Sequence, residues 1–180
     1  MKGGRQDIRK AIEEMSQGME PEKVEQLQKL GSKVVGNGVT PRDAMGLNDE
    51  MIEGIYAQAY RLYNTGKYKE AGQLFRLLIV LNGAEPKYAL GLAACFHMSK
   101  DYETAAEAYT NCGLLDPNNP IPHYHASDCY LKMGDKVSAM IALEMAVKRS
   151  GAKPEFVQLK DRALMTIENL KEEILKPKEL

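Results

Sequence analysis

Three cysteines, three histidines and nine tyrosines carry most of the reactive or recognition chemistry available to this 180-residue sequence. Cys95, Cys112 and Cys129 are odd in number and form no Cys-x-x-Cys pair. That argues against a disulfide framework or a thiolate zinc site and fits a reducing compartment. Cys95 and Cys129 stand 34 residues apart and Cys112 holds a small-residue position, so all three read as compact packing groups rather than nucleophiles. His123 and His125 invite a metal reading, but residues two apart on a helix point in different directions and make a poor shared site. They read instead as partly buried or groove-edge histidines. No GxSxG, HExxH, P-loop or Gly-rich dinucleotide turn occurs, so no enzyme activity, metal or cofactor is expected. The tyrosines offer a different chemistry. Tyr56, Tyr60 and Tyr63 are spaced i, i+4, i+7 and share one helical face. Tyrosine combines a large, stiff contact area with a hydroxyl that can bond a peptide backbone. The stripe is therefore a candidate surface for an extended peptide, and ordinary packing between helices is the competing account of it.

The elements that would position this stripe repeat. Gly66, Lys100 and Gly134 are separated by 34 residues and then 34 again. The same step links Ala71, Ala105 and Ala139; Phe75, Tyr109 and Leu143; and Leu78, Cys112 and Ala146. Several columns in phase at one period mark a repeat architecture. The units are placed at 52–85, 86–119 and 120–153. Each reads as two helices about a short turn, with a small residue in the second helix four positions before a bulky one, so that antiparallel helices interlock. Asn82-Gly83, Asp116-Pro117-Asn118-Asn119 and Ser150-Gly151 are helix stops.

Flanking segments follow the same logic. Residues 5–19 and 21–35 carry Ile8, Ile12, Met15 and Met19, then Val24, Leu27, Leu30 and Val34, at helical spacing. They form an N-terminal helical arm, 1–37, ended by Gly36-Asn37-Gly38. A lead-in helix is expected within 38–51, with Thr40 as N-cap and Pro41 at the first helical position. Asn48 is a second candidate cap, flanked by Leu47 and Ile52 as a hydrophobic staple. Over 154–180, Pro154 opens a helix whose stripe of Phe156, Leu159, Ala163, Ile167, Leu170 and Ile174 would cap the last repeat, with a tail that frays after Pro177.

Period 34 with small residues expected at the eighth, twentieth and twenty-seventh positions of each unit resembles the tetratricopeptide repeat. The middle unit fits best, with Tyr102, Ala105, Tyr109 and Asp116-Pro117-Asn118-Asn119 in register. The family's usual Trp is replaced by Ile55, Ala89 and His123. The resemblance implies an all-α fold of three such repeats forming a concave superhelical groove. Groove-facing positions would be Tyr56, Tyr60 and Tyr63 in the first unit, Leu90, Ala94 and His97 in the second, and Tyr124, Asp128 and Leu131 in the third.

A narrower resemblance lies in Ile55-Tyr56-x-x-Ala59-Tyr60-x-x-Tyr63-x-x-Gly66-Lys67-Tyr68-x-x-Ala71-x-x-x-Phe75, in Leu90-Gly91-Leu92-Ala93-Ala94-Cys95, and in His125-Ala126-Ser127-Asp128-Cys129-Tyr130-Leu131-Lys132-Met133-Gly134-Asp135. These strings, part of a match that covers about residues 38–170, are similar to class II type III secretion chaperones. The resemblance implies a bacterial cytosolic protein that keeps hydrophobic translocator proteins soluble and export-competent. A client segment of the Pro-x-Leu-x-x-Pro type would lie extended in the groove, held by Tyr56, Tyr60, Tyr63, Leu90, Ala94, His97, Tyr124 and Asp128. It also implies a possible homodimer through the N-terminal arm.

The alternative is a general repeat adaptor or scaffold that binds a peptide of another partner. A clamp for C-terminal carboxylates needs Lys, Arg or Asn on the groove, and Tyr56, Tyr60, Gly91, Ile121 and His125 supply none. With 24 basic and 25 acidic residues the net charge is −1, which leaves no global field to attract nucleic acid or anionic membrane. No apolar run approaches the roughly 20 residues of a membrane span, and the N-terminus lacks a signal-peptide core. A cytosolic location and no membrane insertion are expected.

Overall fold

The computed structural model describes residues 40–175 and, before them, only Pro21, Val24 and Glu25. Apart from those three residues, the arm assigned to 1–37 lies outside the described residues, as does the stop at Pro177. Helix α1 (Pro41–Ala44) is a single turn opened by Thr40, whose hydroxyl oxygen accepts from the Asp43 amide at 3.2 Å. Asn48 caps α2 (Asp49–Asn64) in the same way, accepting from the Met51 amide at 2.8 Å. Leu47 and Ile52 meet in one core cluster on either side of that cap, which sets the angle at which the chain enters α2.

The repeats follow as α3 (Tyr68–Leu81), α4 (Pro86–Met98), α5 (Tyr102–Leu115), α6 (Ile121–Lys132) and α7 (Lys136–Ser150). Pro154 opens a short 3-10 turn, Pro154–Phe156, and α8 (Val157–Leu175) continues from it. The expected helix start at Pro154 is thus one tighter turn, which places the α-helix proper at Val157. Each helix packs mainly on its neighbours in sequence, the arrangement of a solenoid. There is no strand among the described residues.

The 34-residue columns are where the helices touch. Ala59, Ala93 and Ser127 are buried, as are Ala71, Ala105 and Ala139. The bulky column Phe75, Tyr109, Leu143 and the column Leu78, Cys112, Ala146 are buried too. Small side chains let two backbones approach, and the bulky residue one turn on fills the space beside them. Ala163, Ile167 and Leu170 of α8 close the last repeat against Ala139 and Leu143, while Ile174 stays exposed.

The turn inside each unit is a left-handed cap. Gly66, Lys100 and Gly134 have φ of +77°, +64° and +78°. The amides of Gly66 and Lys67 return to the carbonyls of Tyr63 and Leu62, and the other two turns repeat the pattern. Each pair satisfies two carbonyls that the helix end would leave open. Lys100 is the one non-glycine among the described residues with positive φ, so the middle turn holds the period's geometry at a steric cost.

Candidate functional site

Side chains from α2, α4 and α6 converge on a cavity of about 220 Å3. Tyr56, Tyr60 and Tyr63 form one wall, and Leu90 and Ala94 of α4 form another. The Tyr56 ring lies 6.4 Å from that of Tyr60 and 5.8 Å from that of Tyr88, centroid to centroid. Tyr60 is 54% exposed, so packing does not account for it. Tyr63 is half-buried, with its ring edge-on to Tyr68 at 5.6 Å. Burial raises its hydroxyl pKa, which keeps it a neutral donor. Tyr56 and Tyr63 therefore serve both core and wall, whereas Tyr60 belongs to the wall alone.

Three more residues of the wall and floor escaped sequence reasoning. Phe75 and Tyr109 come from the second helices, α3 and α5, and reach through to the cavity. Phe75 can do so because position 91 is glycine: a Cβ there would come within 2.5 Å of Phe75 Cζ and 2.8 Å of Cδ1. The bulky column Phe75–Tyr109–Leu143 was the available signal, but by sequence it reads only as packing. Lys87 is the third. Its ammonium bonds Glu53 Oε1 at 2.8 Å and sits 4.6 Å over the Tyr56 ring. The hydrogen bond to Glu53 raises the Lys87 pKa, so the charge is permanent at neutral pH. Gly91 and His125, groove positions in the carboxylate-clamp comparison, also line the cavity.

His97, Tyr124 and Asp128 stand outside the cavity wall. His97 Nε2 pairs with Asp128 Oδ2 at 2.9 Å, and its Nδ1 lies 3.5 Å from the Tyr109 hydroxyl. It meets His125 edge-on at 6.3 Å, and so props the ring that does line the cavity. Tyr124 touches His125 at 6.1 Å but otherwise packs with Leu131 and Met140 on the α7–α8 core. Of the third unit, only His125 lines the cavity with the tyrosines.

The two histidines of α6 face opposite ways. Burial, with the neighbouring His97 charge, lowers the pKa of His125. His123 is buried on the other side, with Nε2 lacking a hydrogen-bond partner. Burial first, then the Arg149 guanidinium, hold it neutral. Arg149 is fixed there by donating to the Gly113 carbonyl at 2.6 Å. All three cysteines are buried and free, and burial pushes their thiols up to about 11. No group of three or more His, Cys, Asp or Glu among the described residues is placed to hold a metal ion. No described helix is long and apolar enough to cross a membrane.

The cavity's aromatic wall, apolar floor and neutral histidine suit an extended peptide. Comparison with known proteins agrees on the architecture. Tetratricopeptide-repeat models match residues 52–82 and 96–163. Chaperone protein SicA of Salmonella typhimurium is 32% identical over 137 residues, covering 76% of this chain and 81% of that protein. This chain belongs to the class II type III secretion chaperones. A second relative of this translocator chaperone is low calcium response locus protein H of Yersinia pseudotuberculosis, 30% identical over 125 residues, or 69% of this chain and 74% of that one. Among solved structures, the Yersinia enterocolitica chaperone SycD in complex with a peptide of the translocator YopD superposes with a TM-score of 0.66 at 30% identity, covering 70% of this chain and 96% of that one. PcrH in complex with the chaperone binding region of PopD gives a TM-score of 0.67 at 31% identity, covering 71% and 96%.

Proposed function

We propose that this chaperone holds an extended segment of a hydrophobic translocator protein in its concave groove and keeps that client soluble and export-competent. The observation that carries the reading is the cavity itself: three tyrosines, Leu90 and Ala94 around a space lined by rings, with Tyr60 presented to solvent. A translocator carries membrane-seeking helices that aggregate in water. Capturing one extended segment tethers the chaperone to it, with pockets for side chains and hydroxyls for the backbone. Ordering the segment costs entropy, so affinity is moderate and release is possible.

In this reading Tyr56, Tyr60, Tyr63, Leu90 and Ala94 contact the client directly. His97 and Asp128 act on it by orienting His125, and Tyr124 meets it only if the segment runs on past His125. The three units 52–85, 86–119 and 120–153 form the clamp and 154–180 its cap. The arm 1–37 is the proposed dimerisation element, and the bacterial cytosol is the compartment. The role is binding, without catalysis. It is supported by SycD and PcrH, which are solved with translocator peptide segments.

The test is fluorescence anisotropy of a labelled Pro-x-Leu-x-x-Pro peptide with the full chain. Tyr60→Ala should weaken binding tenfold or more, about 1.4 kcal/mol, while the far-UV spectrum is unchanged. An unaltered Kd would rule out the tyrosine wall as the client site.

A further inference from the structure

A second cavity, of about 260 Å3, opens where the N-terminal ends of α4 and α6 meet the C-terminal end of α5. Lys87 and Leu90 line both cavities, so the two lie side by side across one turn of α4. Pro86, Leu90 and Pro122 make its walls apolar, and Glu85, Asp116 and Asn119 stand among them.

The polar groups are unequally occupied. Asn119 Oδ1 accepts from the Ile121 amide at 3.0 Å. Asp116 Oδ1 has only a long contact, 3.4 Å, from the Asn118 amide. Neither Glu85 nor Asp116 has a cation within 4 Å among the described residues, and Glu85 acts on Lys87 only at longer range, helping to raise its pKa. Lys87 is turned the other way, onto Glu53 and the Tyr56 ring of α2. Nearby, Lys153 donates to the Asn118 carbonyl at 3.1 Å and Arg149 to that of Gly113. Both cations are engaged with main-chain oxygens.

We propose that the client chain continues from the tyrosine groove across Lys87 and Leu90 and seats a lysine or arginine side chain in this second cavity. The inference rests on the peptide-binding reading of the groove. Two features support it: a wall shared with that groove, formed by Lys87 and Leu90, and charge complementarity. The methylenes of a basic side chain fit against Pro86, Leu90 and Pro122, and its head reaches Glu85 and Asp116.

The experiment measures anisotropy with the full chain and three labelled probes: a Pro-x-Leu-x-x-Pro core, the core extended by Ala-Ala-Lys, and the core extended by Ala-Ala-Glu, with extensions made at either end. Three residues reach about 10 Å, enough to pass from one cavity to the next. The lysine extension at one end should tighten binding about fivefold, with the gain falling as salt rises, and the glutamate extension should not. In the Glu85→Gln/Asp116→Asn double variant the gain should vanish while the core peptide binds as before. A core that binds without any lysine gain, or a gain that survives the double variant, overturns the second cavity and leaves the groove standing. A core that binds nowhere overturns the groove reading, and this inference with it.

Discussion

Gly91→Ala sets two effects of opposite sign against each other. In the middle of α4 an alanine should stabilise by about 0.8–1.0 kcal/mol, because glycine loses more backbone freedom on folding. Against this, the new methyl would lie 2.5 Å from Phe75 Cζ and 2.8 Å from Cδ1, well inside ordinary van der Waals contact. Phe75 is 2% exposed, and Tyr56 meets its ring edge-on at 6.2 Å, so the displacement passes into the groove wall. Overpacking of this kind costs about 1–3 kcal/mol. The clash should win, leaving a net loss of up to about 2 kcal/mol and a Tm lower by up to roughly 8 °C. Affinity for the Pro-x-Leu-x-x-Pro probe should fall about tenfold as Tyr56 moves. Gly54→Ala in α2 is the control: a Cβ there meets nothing within 4 Å, so only the propensity gain remains and Tm should rise. Thermal melts followed by circular dichroism, together with anisotropy, read both effects. If Gly91→Ala melts higher, as Gly54→Ala should, and binds normally, the Phe75 floor is wrongly described.

Other perturbations separate fold from site. Lys100→Gly relieves the left-handed conformation of the middle turn and should stabilise by about 0.5–1 kcal/mol, seen as a Tm rise of roughly 1–4 °C; a fall in Tm would show that the lysine side chain contributes more than its strain. Ala94→Phe fills the cavity and should weaken probe binding more than tenfold without changing helical content; retained affinity would place the client elsewhere. Acid should destabilise the chain before carboxylates titrate. His123 and His125 have depressed folded-state pKa values, so the unfolded chain takes up the protons first. The denaturation midpoint should hold above about pH 6.5 and drop as pH falls below it. In His123→Asn that slope should shrink, and a wild-type midpoint flat down to about pH 5 would contradict the burial of both rings.

Much of the architecture was legible because its causes are local or periodic. The period of 34 is read by counting, and the short turns at Gly66 and Gly134 and the caps at Thr40 and Asn48 each depend on a few adjacent residues. The tyrosine stripe was legible for the same reason, since i, i+4 and i+7 share a helix face whatever surrounds it. Periodicity could also say that His123 and His125 point apart, but not which of them meets the groove. That depended on α5 and α7 closing over one side of α6, leaving His125 to the cavity and His123 beside Arg149. The roles of Phe75 and Tyr109 were hidden for a related reason. A bulky residue on a second helix looks the same in sequence whether it stops at its partner helix or reaches past it. Phe75 reaches past because Gly91, sixteen residues away, withholds a side chain. Tyr124 marks the limit of repeat logic: it holds the same register as Tyr56, yet the turn between units commits it to the core beneath α8. Identity and spacing determined the faces of single helices. Packing between helices, which depends on the volumes of residues distant in the chain, determined how those faces combine into a groove and where it ends.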